Sequence, residues 1–245
     1  MKNLFLGLFV LLGANVIHAQ DVVTFPASDG LTVTANLYEV DEKYPYMLLF
    51  HQAGYSKGEY KATAIKLLKM GYNCLAVDLR SGGGVNFVQN ETANLAKEKG
   101  MSTTYLDAEK DMLAAIDYAW EKSHKPMILF GSSYSASLAL KIAKGNSKIS
   151  SVIAFSPGEY FQPDMVIKDQ INGFDKPVFA ACSQREYTYL TDLLADIPND
   201  QKTIFKPQEG AGEHGSKSLW QTCPTSKEYW LALLMYFKKL ENTPK

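Results

Sequence analysis

The residues that could do chemistry in this sequence centre on Ser133, which lies between a strand-like and a helix-like segment. Residues 126–130 are apolar and strand-like, and residues 136–144 have the spacing of a helix. A serine at such a corner can expose its hydroxyl as a nucleophile when the residues two before and two after it are small, because the turn is tight. Gly131 and Ser135 meet that requirement for Ser133. The spacing therefore predicts Ser133 as a nucleophile, with an ordinary Ser/Gly-rich turn as the alternative.

The start of the chain has the composition of a targeting segment. Lys2 precedes an apolar run over residues 4–16, and the small residue Ala19 comes before the polar Gln20. This order is typical of a secretory signal peptide, and the run is too short to cross a bilayer comfortably. We expect cleavage near Ala19, export to a periplasmic or extracellular space, and a single domain over residues 20–245. No cysteine follows the cut, so no lipid anchor to a membrane is expected.

Charge and cysteine content narrow the function classes. The formal net charge is −1, and it becomes −2 when Lys2 leaves with the signal peptide. A slightly acidic chain is not expected to bind nucleic acid or an anionic membrane surface. The three cysteines, Cys74, Cys182 and Cys223, are too few for a disulfide scaffold and fit no zinc spacing. Pairing of Cys182 with Cys223 stays open beside free thiols, and the oligomeric state is open too.

The elements that must position Ser133 follow from the hydrophobic pattern. Residues 22–25 and 31–38 flank an Asp-Gly turn and predict an antiparallel hairpin. Further strands are predicted at 46–50, 73–79, 126–130, 151–155, 177–181 and 203–206, and helices at 59–70, 103–122, 136–144, 187–196 and 226–240. This alternation predicts an α/β domain in which a mostly parallel sheet carries helices on both faces. Binding residues are then expected at the carboxyl ends of the strands.

With these elements in place, the chain resembles the α/β-hydrolase fold over roughly residues 22–240. Within that fold it is similar to the small, nearly capless dienelactone-hydrolase-like serine esterases. The motifs that carry the resemblance are the corner at 131–135, the segments 50–54 (FHQAG) and 78–82 (DLRSG), and the loop at 212–215 (GEHG). The resemblance implies a minimal cap, a small-molecule ester substrate, an acyl-enzyme intermediate, and neither cofactor nor metal.

The resemblance also implies a chain order of serine, acid and histidine. Three histidines follow the signal segment, and only His214 comes after Ser133 in a loop at the carboxyl ends of the strands; His51 precedes the serine, and His124 enters a strand from the opposite edge. Glu186, after the strand at 177–181, is the expected acid. Glu159, after the preceding strand, is the alternative, and either could instead be a solvated surface carboxylate.

The resemblance further implies two backbone N–H groups that stabilise an oxyanion. One is expected from Tyr134, directly after the nucleophile, and the other from Ala53 in the loop after the third strand. Gln52 stands where the family has glycine and stays possible as the second donor. Six aromatic residues are expected on loops around the same edge of the sheet and mildly favour an apolar acyl or aromatic pocket: Tyr55, Tyr134, Tyr160, Phe161, Tyr187 and Trp220.

Two other function classes remain open at this point. One is a serine peptidase or aminopeptidase of the same fold, and the other is a hydrolase-like binding protein without activity. A pair of carboxylates at helical spacing, Asp107 and Asp111, lies among other charged residues and is predicted to be a solvated helix face.

Overall fold

The computed structural model describes residues 20–41 and 43–242. The strands are β1 (Asp21–Pro26), β2 (Thr32–Tyr38), β3 (Tyr46–Phe50), β4 (Asn73–Val77), β5 (Gly84–Val85), β6 (Val88–Gln89), β7 (Met127–Ser132), β8 (Ile149–Phe155), β9 (Val178–Ala181) and β10 (Lys202–Phe205). The helices are α1 (Lys61–Lys69), α2 (Glu91–Glu98), α3 (Ala108–Ser123), α4 (Tyr134–Ala143), α5 (Ile167–Gln170), α6 (Tyr187–Leu193) and α7 (Ser226–Glu241). The predicted signal peptide, residues 1–19, lies outside the described residues.

The main sheet has eight strands in the order β1-β2-β4-β3-β7-β8-β9-β10. β2 runs antiparallel to both of its neighbours, β1 and β4, and the six strands from β4 to β10 in this order are parallel to one another. The predicted fold class, a mostly parallel sheet with an antiparallel start, is confirmed. The stretch between β8 and β9 holds only the four-residue helix α5, so the expected minimal cap is confirmed as well.

Helices cover both faces of this sheet, which explains the uninterrupted apolar strands. All five residues of β3 are buried, because alternate side chains enter two different cores. Leu48 packs in the core that α3 and α4 cover, whereas Met47 and Leu49 pack in the core that α1 and α7 cover. Because the six strands from β4 to β10 in the sheet order are parallel, their carboxyl ends lie at the same edge of the sheet, where the loops that follow them can meet.

Near this edge the structure adds two elements to the predicted ones and moves the beginning of a third. Helix α2 and the short hairpin formed by β5 and β6 were not predicted. The Asn90 side chain accepts a hydrogen bond from the N–H of Ala93 at 2.7 Å and so caps α2. Helix α3 begins at Ala108 rather than at residue 103, since Thr104 and Asp107 hydrogen-bond to each other in a turn that precedes it.

The prediction of a solvated carboxylate pair is wrong for Asp111. Its side chain is fully buried and binds the equally buried guanidinium of Arg80, with Nη2 of the arginine 2.8 Å from Oδ1. The N–H of Arg80 also donates to Asp111, and Asp29, in the turn between β1 and β2, binds Nη1 at 2.6 Å. Burial is tolerated because the arginine satisfies both carboxylates.

Two further expectations concern thiols and membranes. In the part of the chain that the structure describes, Cys74, Cys182 and Cys223 are all buried and unpaired, so the open question of a Cys182–Cys223 bridge is answered by free thiols. None of the described helices is long and apolar enough to cross a membrane.

Candidate active site

Ser133 lies at the corner where β7 ends and α4 begins. Its backbone has φ 61° and ψ −126°, a conformation that side-chain-bearing residues rarely adopt and that stores strain. Gly131 leaves room for this corner, since a Cβ there would lie 2.4 Å from the Cα of Ala136. Ser135, two residues after the nucleophile, is buried, and its hydroxyl bonds with the carbonyl of Phe50 at 2.7 Å and accepts from the N–H of Ser132 at 2.9 Å. A small residue is therefore needed at both positions, and the serine adds a link to β3.

The structure brings the three sequence-predicted residues of the triad into one hydrogen-bonded chain. Oγ of Ser133 is 2.8 Å from Nε2 of His214, and Nδ1 of His214 is 2.5 Å from Oε1 of Glu186. The network assigns the tautomer: the carboxylate can only accept, so the proton is on Nδ1 and Nε2 accepts from the serine hydroxyl. In this arrangement His214 can take the serine proton, and Glu186 can stabilise the imidazolium that forms.

Glu186 is held in its charged form by several donors. Oε2 accepts from the N–H of Ser183 at 2.9 Å, from its hydroxyl at 2.8 Å, and from the hydroxyl of Ser156 at 2.9 Å. Partial burial disfavours the charge, but the hydrogen bonds from His214 and Ser183 outweigh it and lower the pKa of Glu186 to about 2. The carboxylate is therefore ionised at neutral pH, as an orienting acid must be.

Glu159, the alternative acid, has a different role. Its two carboxylate oxygens accept from the N–H groups of Ile167 and Lys168, at 2.6 and 2.8 Å, at the beginning of α5. Its own N–H donates to the hydroxyl of Tyr189. The structure brings Glu186 to His214, and Glu159 is committed to the start of a helix.

The two expected oxyanion donors lie on adjacent loops, because Phe50 at the end of β3 pairs with Gly131 in β7. Tyr134 is the first residue of α4, where a backbone N–H has no acceptor within the helix. On the other loop, the N–H of Gln52 donates to Oε2 of Glu59 at 2.7 Å. Because the N–H of Gln52 is occupied by this bond, the N–H of Ala53 remains the expected oxyanion donor on this loop.

The two other histidines among the described residues, His51 and His124, are outside this chain of hydrogen bonds. His51 is fully buried, accepts from the N–H of Leu79 at 2.9 Å, and links the loop after β3 to the loop after β4. Burial lowers its pKa, so it is neutral. His124 ends α3 in a left-handed conformation and is exposed, at the opposite edge of the sheet.

Sequence reasoning missed the residues that hold the triad in place. Ser156 donates to Glu186 and accepts from the N–H of Gly215 at 3.0 Å, so it fixes the acid and the histidine loop together. Ser216 donates its N–H to Oγ of Ser132, the residue before Ser133, at 2.8 Å. Gly215 has φ 73°, and a Cβ there would lie 2.6 Å from Oγ of Ser132. Serines in loops carry no sequence signal for such contacts.

The aromatic residues expected around the site divide into two groups. Tyr134 and Phe161 are buried in the core, where the Tyr134 hydroxyl shares a hydrogen bond of 2.5 Å with Ser81, and the partly buried Tyr187 packs against the same core. Tyr55 stacks on Trp220 with ring centroids 6.1 Å apart, and Tyr160 is 37% exposed and donates to the carbonyl of Ser156 at 2.8 Å. The apolar lining is therefore smaller than predicted.

Two cavities lie at opposite edges of the sheet, and one of them adjoins the candidate site. A cavity of about 250 Å³ adjoins His214 and is lined by the loops at 183–185 and 211–214. A larger one, about 890 Å³, lies between Tyr72, Pro126 and Pro177 at the amino ends of the strands, remote from Ser133. Within residues 20–41 and 43–242, no group of His, Cys, Asp and Glu side chains could hold a metal ion.

Comparisons with known proteins agree with this geometry at the level of the fold. No protein-family model matches the sequence, and the search of curated proteins gave no match either. Solved structures do match. An esterase from Pyrococcus furiosus is 16% identical, with a TM-score of 0.67 and 91% of each chain covered.

Two further structures extend this likeness. A dienelactone hydrolase from Anabaena variabilis is 15% identical, with a TM-score of 0.65 over 89% of this chain and 95% of that one. A thioesterase domain from the curacin biosynthetic pathway is 13% identical, with a TM-score of 0.63 over 89% and 99%. The strand order, the corner at Ser133 and these matches together assign to the chain a dienelactone-hydrolase-like α/β-hydrolase fold.

Proposed function

We propose that this protein is a serine hydrolase that cleaves carboxylic esters through an acyl-enzyme intermediate. The observation that carries the proposal is the continuous hydrogen-bonded chain from Ser133 through His214 to Glu186, with 2.8 Å and 2.5 Å between the paired atoms, at a strained corner. A serine that served only as a turn residue would need neither the imidazole nor the buried donors that keep Glu186 charged.

The first half-reaction forms a covalent ester with Ser133. As Oγ attacks the carbonyl carbon of the substrate, its proton passes to Nε2 of His214. The negative charge that develops on the carbonyl oxygen is held by the N–H groups of Tyr134 and Ala53; each such donor typically contributes about 2.7–4 kcal/mol. Collapse of the tetrahedral intermediate breaks the bond to the alkoxide, which takes the proton from His214 and leaves as the alcohol.

The second half-reaction returns the enzyme to its starting state. His214 removes a proton from a water molecule, and the resulting hydroxide attacks the acyl carbon. The bond to Oγ breaks, and His214 gives the proton back to Ser133. Glu186 remains ionised throughout, because its pKa of about 2 lies far below that of an imidazolium. Its role is to hold the tautomer and to stabilise the positive charge of the ring.

A small ester is the substrate class we favour. Among the described residues, the segment between β8 and β9 forms only one short helix, α5, so the cap near Ser133 is small. The structures with the same fold include proteins named esterase, dienelactone hydrolase and thioesterase, all of which cleave acyl bonds to oxygen or sulfur. Peptidase activity on the same fold is the alternative that substrate comparison must distinguish.

Labelling with a fluorophosphonate probe tests the proposal. We expect the wild-type chain to be labelled at neutral pH, the Ser133→Ala variant not to be labelled, and the control Ser147→Ala, at an exposed serine, to behave like wild type. A panel of p-nitrophenyl esters beside aminoacyl p-nitroanilides then separates esterase from peptidase. A folded wild-type chain that neither reacts with the probe nor hydrolyses any ester would refute the proposal and favour a binding protein.

We also propose that the chain is exported after cleavage of residues 1–19. The basic, apolar and small-residue order of that segment supports it. Expression of the full chain in a bacterial host, followed by amino-terminal sequencing of the periplasmic or secreted fraction, tests it. A mature protein that begins at Gln20 is expected, and an uncleaved chain found only in the cytoplasm would contradict it.

A further inference from the structure

A buried carboxylate that belongs to none of the triad positions lies behind the site. Glu59 is in the 3₁₀ turn Lys57–Tyr60, which follows the loop after β3, and it is only 1% exposed. Oε2 accepts from the N–H of Gln52 at 2.7 Å, and Oε1 accepts from the hydroxyl of Ser216 at 2.6 Å.

These two donors come from two of the loops that meet at the candidate site. Gln52 precedes Ala53, and Ser216 follows His214 by two residues. The N–H of Ser216 also donates to Oγ of Ser132, the residue before Ser133, at 2.8 Å. One carboxylate thus joins the expected oxyanion loop to the histidine loop, and Ser216 connects both to the end of β7.

The surroundings of Glu59 are unusual for a carboxylate with a purely structural role. Among the described residues, no lysine or arginine forms an ion pair with it, and Lys57 of the same turn is bound by Asp78 and Glu91. The titratable groups that face it are His214, Tyr60 and Tyr134. Burying a carboxylate without a cation beside it destabilises the fold. We therefore expect Glu59 to have a role that an apolar residue could not fill.

We propose, on the basis of the serine-hydrolase function above, that Glu59 is a positioning residue that sets the oxyanion loop against the histidine loop. Its ionised carboxylate holds the N–H of Gln52, and the next N–H along the loop, that of Ala53, is thereby fixed relative to Ser133. The N–H of Gln52 can only donate, so this bond needs Glu59 as its acceptor. When Glu59 takes up a proton, the bond from Gln52 loses its charge assistance, and the Ser216 hydroxyl must turn to accept from the new O–H.

This role predicts a dependence of activity on the protonation of Glu59. Burial is the largest influence and raises the pKa of Glu59 to about 7, although the bonds from Ser216 and Gln52 and the proximity of His214 act in the opposite direction. The active form is the ionised one, so activity falls as pH decreases through about 7. His214 must also be unprotonated, and the acid side of the pH profile therefore involves two protons.

The Glu59→Gln variant tests the proposal, with Glu121→Gln at an exposed position of α3 as the matched control. On a p-nitrophenyl ester, we expect kcat to fall about 10- to 100-fold, less than the loss of a whole oxyanion donor, with KM within about twofold. On the acid side, a plot of log kcat/KM against pH should have a slope approaching two in wild type and in the control, because two protons are involved. In the variant the slope should be one. A purely structural role would leave that slope unchanged.

A conservative variant and a labelling experiment complete the design. Glu59→Asp keeps an ionisable acceptor, so it should retain part of kcat together with the two-proton dependence on pH. If Glu59→Gln does not fold, the pH profile of Glu59→Asp provides the test instead. Wild-type kcat in Glu59→Gln, or an unaltered two-proton dependence on pH, would overturn the proposal. Failure of the underlying function is distinguishable, because then the wild-type chain itself would not react with a fluorophosphonate, whereas here only the rate of labelling in the variant falls.

Discussion

Replacing Glu186 by glutamine should abolish most of the activity, whereas replacing Glu159 by glutamine should leave activity nearly unchanged and lower only stability. Glu186 contacts Nδ1 of His214 at 2.5 Å, whereas Glu159 binds the N–H groups at the beginning of α5. In Glu186→Gln, the carboxamide can donate to Nδ1, which favours the tautomer whose proton is on Nε2. That tautomer cannot accept the proton of Ser133, so the variant should turn over poorly while it still folds.

The size of the effect on stability follows from the charge that Glu186 carries. Its pKa moves from 4.5 to about 2, and at 1.36 kcal/mol per unit the ionised form is favoured by at most about 3 kcal/mol. The side chain is 21% exposed, so we discount this for solvent screening to about 2 kcal/mol. This stabilisation is present in the resting enzyme and therefore contributes to folding stability, whereas the loss of kcat comes from the unfavourable tautomer and can approach about 10⁴-fold, as in other triads.

Stability should depend on pH in a way that identifies the same carboxylate. The folded-state pKa of Glu186 lies below its unfolded value, so its contribution is fully present above about pH 4.5 and is lost as pH falls toward 2. In Glu186→Gln, this contribution is absent at every pH. The difference in unfolding free energy between wild type and variant should therefore be about 2 kcal/mol at pH 7 and shrink toward zero at the acid end of that window.

The assay is ester hydrolysis at pH 7 and 8 beside urea unfolding of the two variants. We expect Glu159→Gln to retain kcat within about twofold and to lose about 1 kcal/mol of stability, because two charge-assisted bonds to α5 weaken. Retention of more than a third of kcat by Glu186→Gln, or loss of activity in Glu159→Gln alone, would refute the assignment of Glu186 as the acid.

Three further outcomes are expected from the fold. Gly131→Ala should destabilise the chain by about 3 kcal/mol or more in urea unfolding, because its Cβ would lie 2.4 Å from backbone that cannot yield; unchanged unfolding would contradict the geometry of the corner. Arg80→Met should cost about 3–5 kcal/mol, since it leaves the buried Asp111 unpaired, and the double variant with Asp111→Leu should recover most of that loss. A thiol titration should find no reactive thiol in the native chain and three after unfolding in guanidinium without reductant; fewer than three would indicate a disulfide.

Much of the fold could be predicted because it depends on local spacing. The apolar run at Tyr46–Phe50 and the small residues around Ser133 are local patterns, and the structure has a strand and a tight corner there. Glu186 and His214 were predicted from the serine, acid and histidine order that the family resemblance implies, applied to loops that follow late strands. Their hydrogen bonds to each other and to Ser133 are what the structure adds.

The remaining features depend on partners distant in sequence. Glu59 looked like the first residue of an amphipathic helix, and its burial becomes apparent only when Ser216, 157 residues away, reaches it. Asp111 looked solvated beside other charges, and only Arg80 from another element makes its burial possible. Helix α2 has eight residues, too short for its apolar spacing to stand out, and its beginning is defined by the cap at Asn90.

The ionic contact among Asp29, Arg80 and Asp111 also bears on how the molecule opens. An edge hairpin such as the one formed by β1 and β2 would ordinarily fray on its own, and its amide hydrogens would exchange with solvent well before those of the central strands. Here the turn of that hairpin is fastened to the loop after β4 and to α3 through one buried guanidinium. Detaching the hairpin would expose that charge network, so the antiparallel edge and the parallel centre should open together, as one cooperative unit.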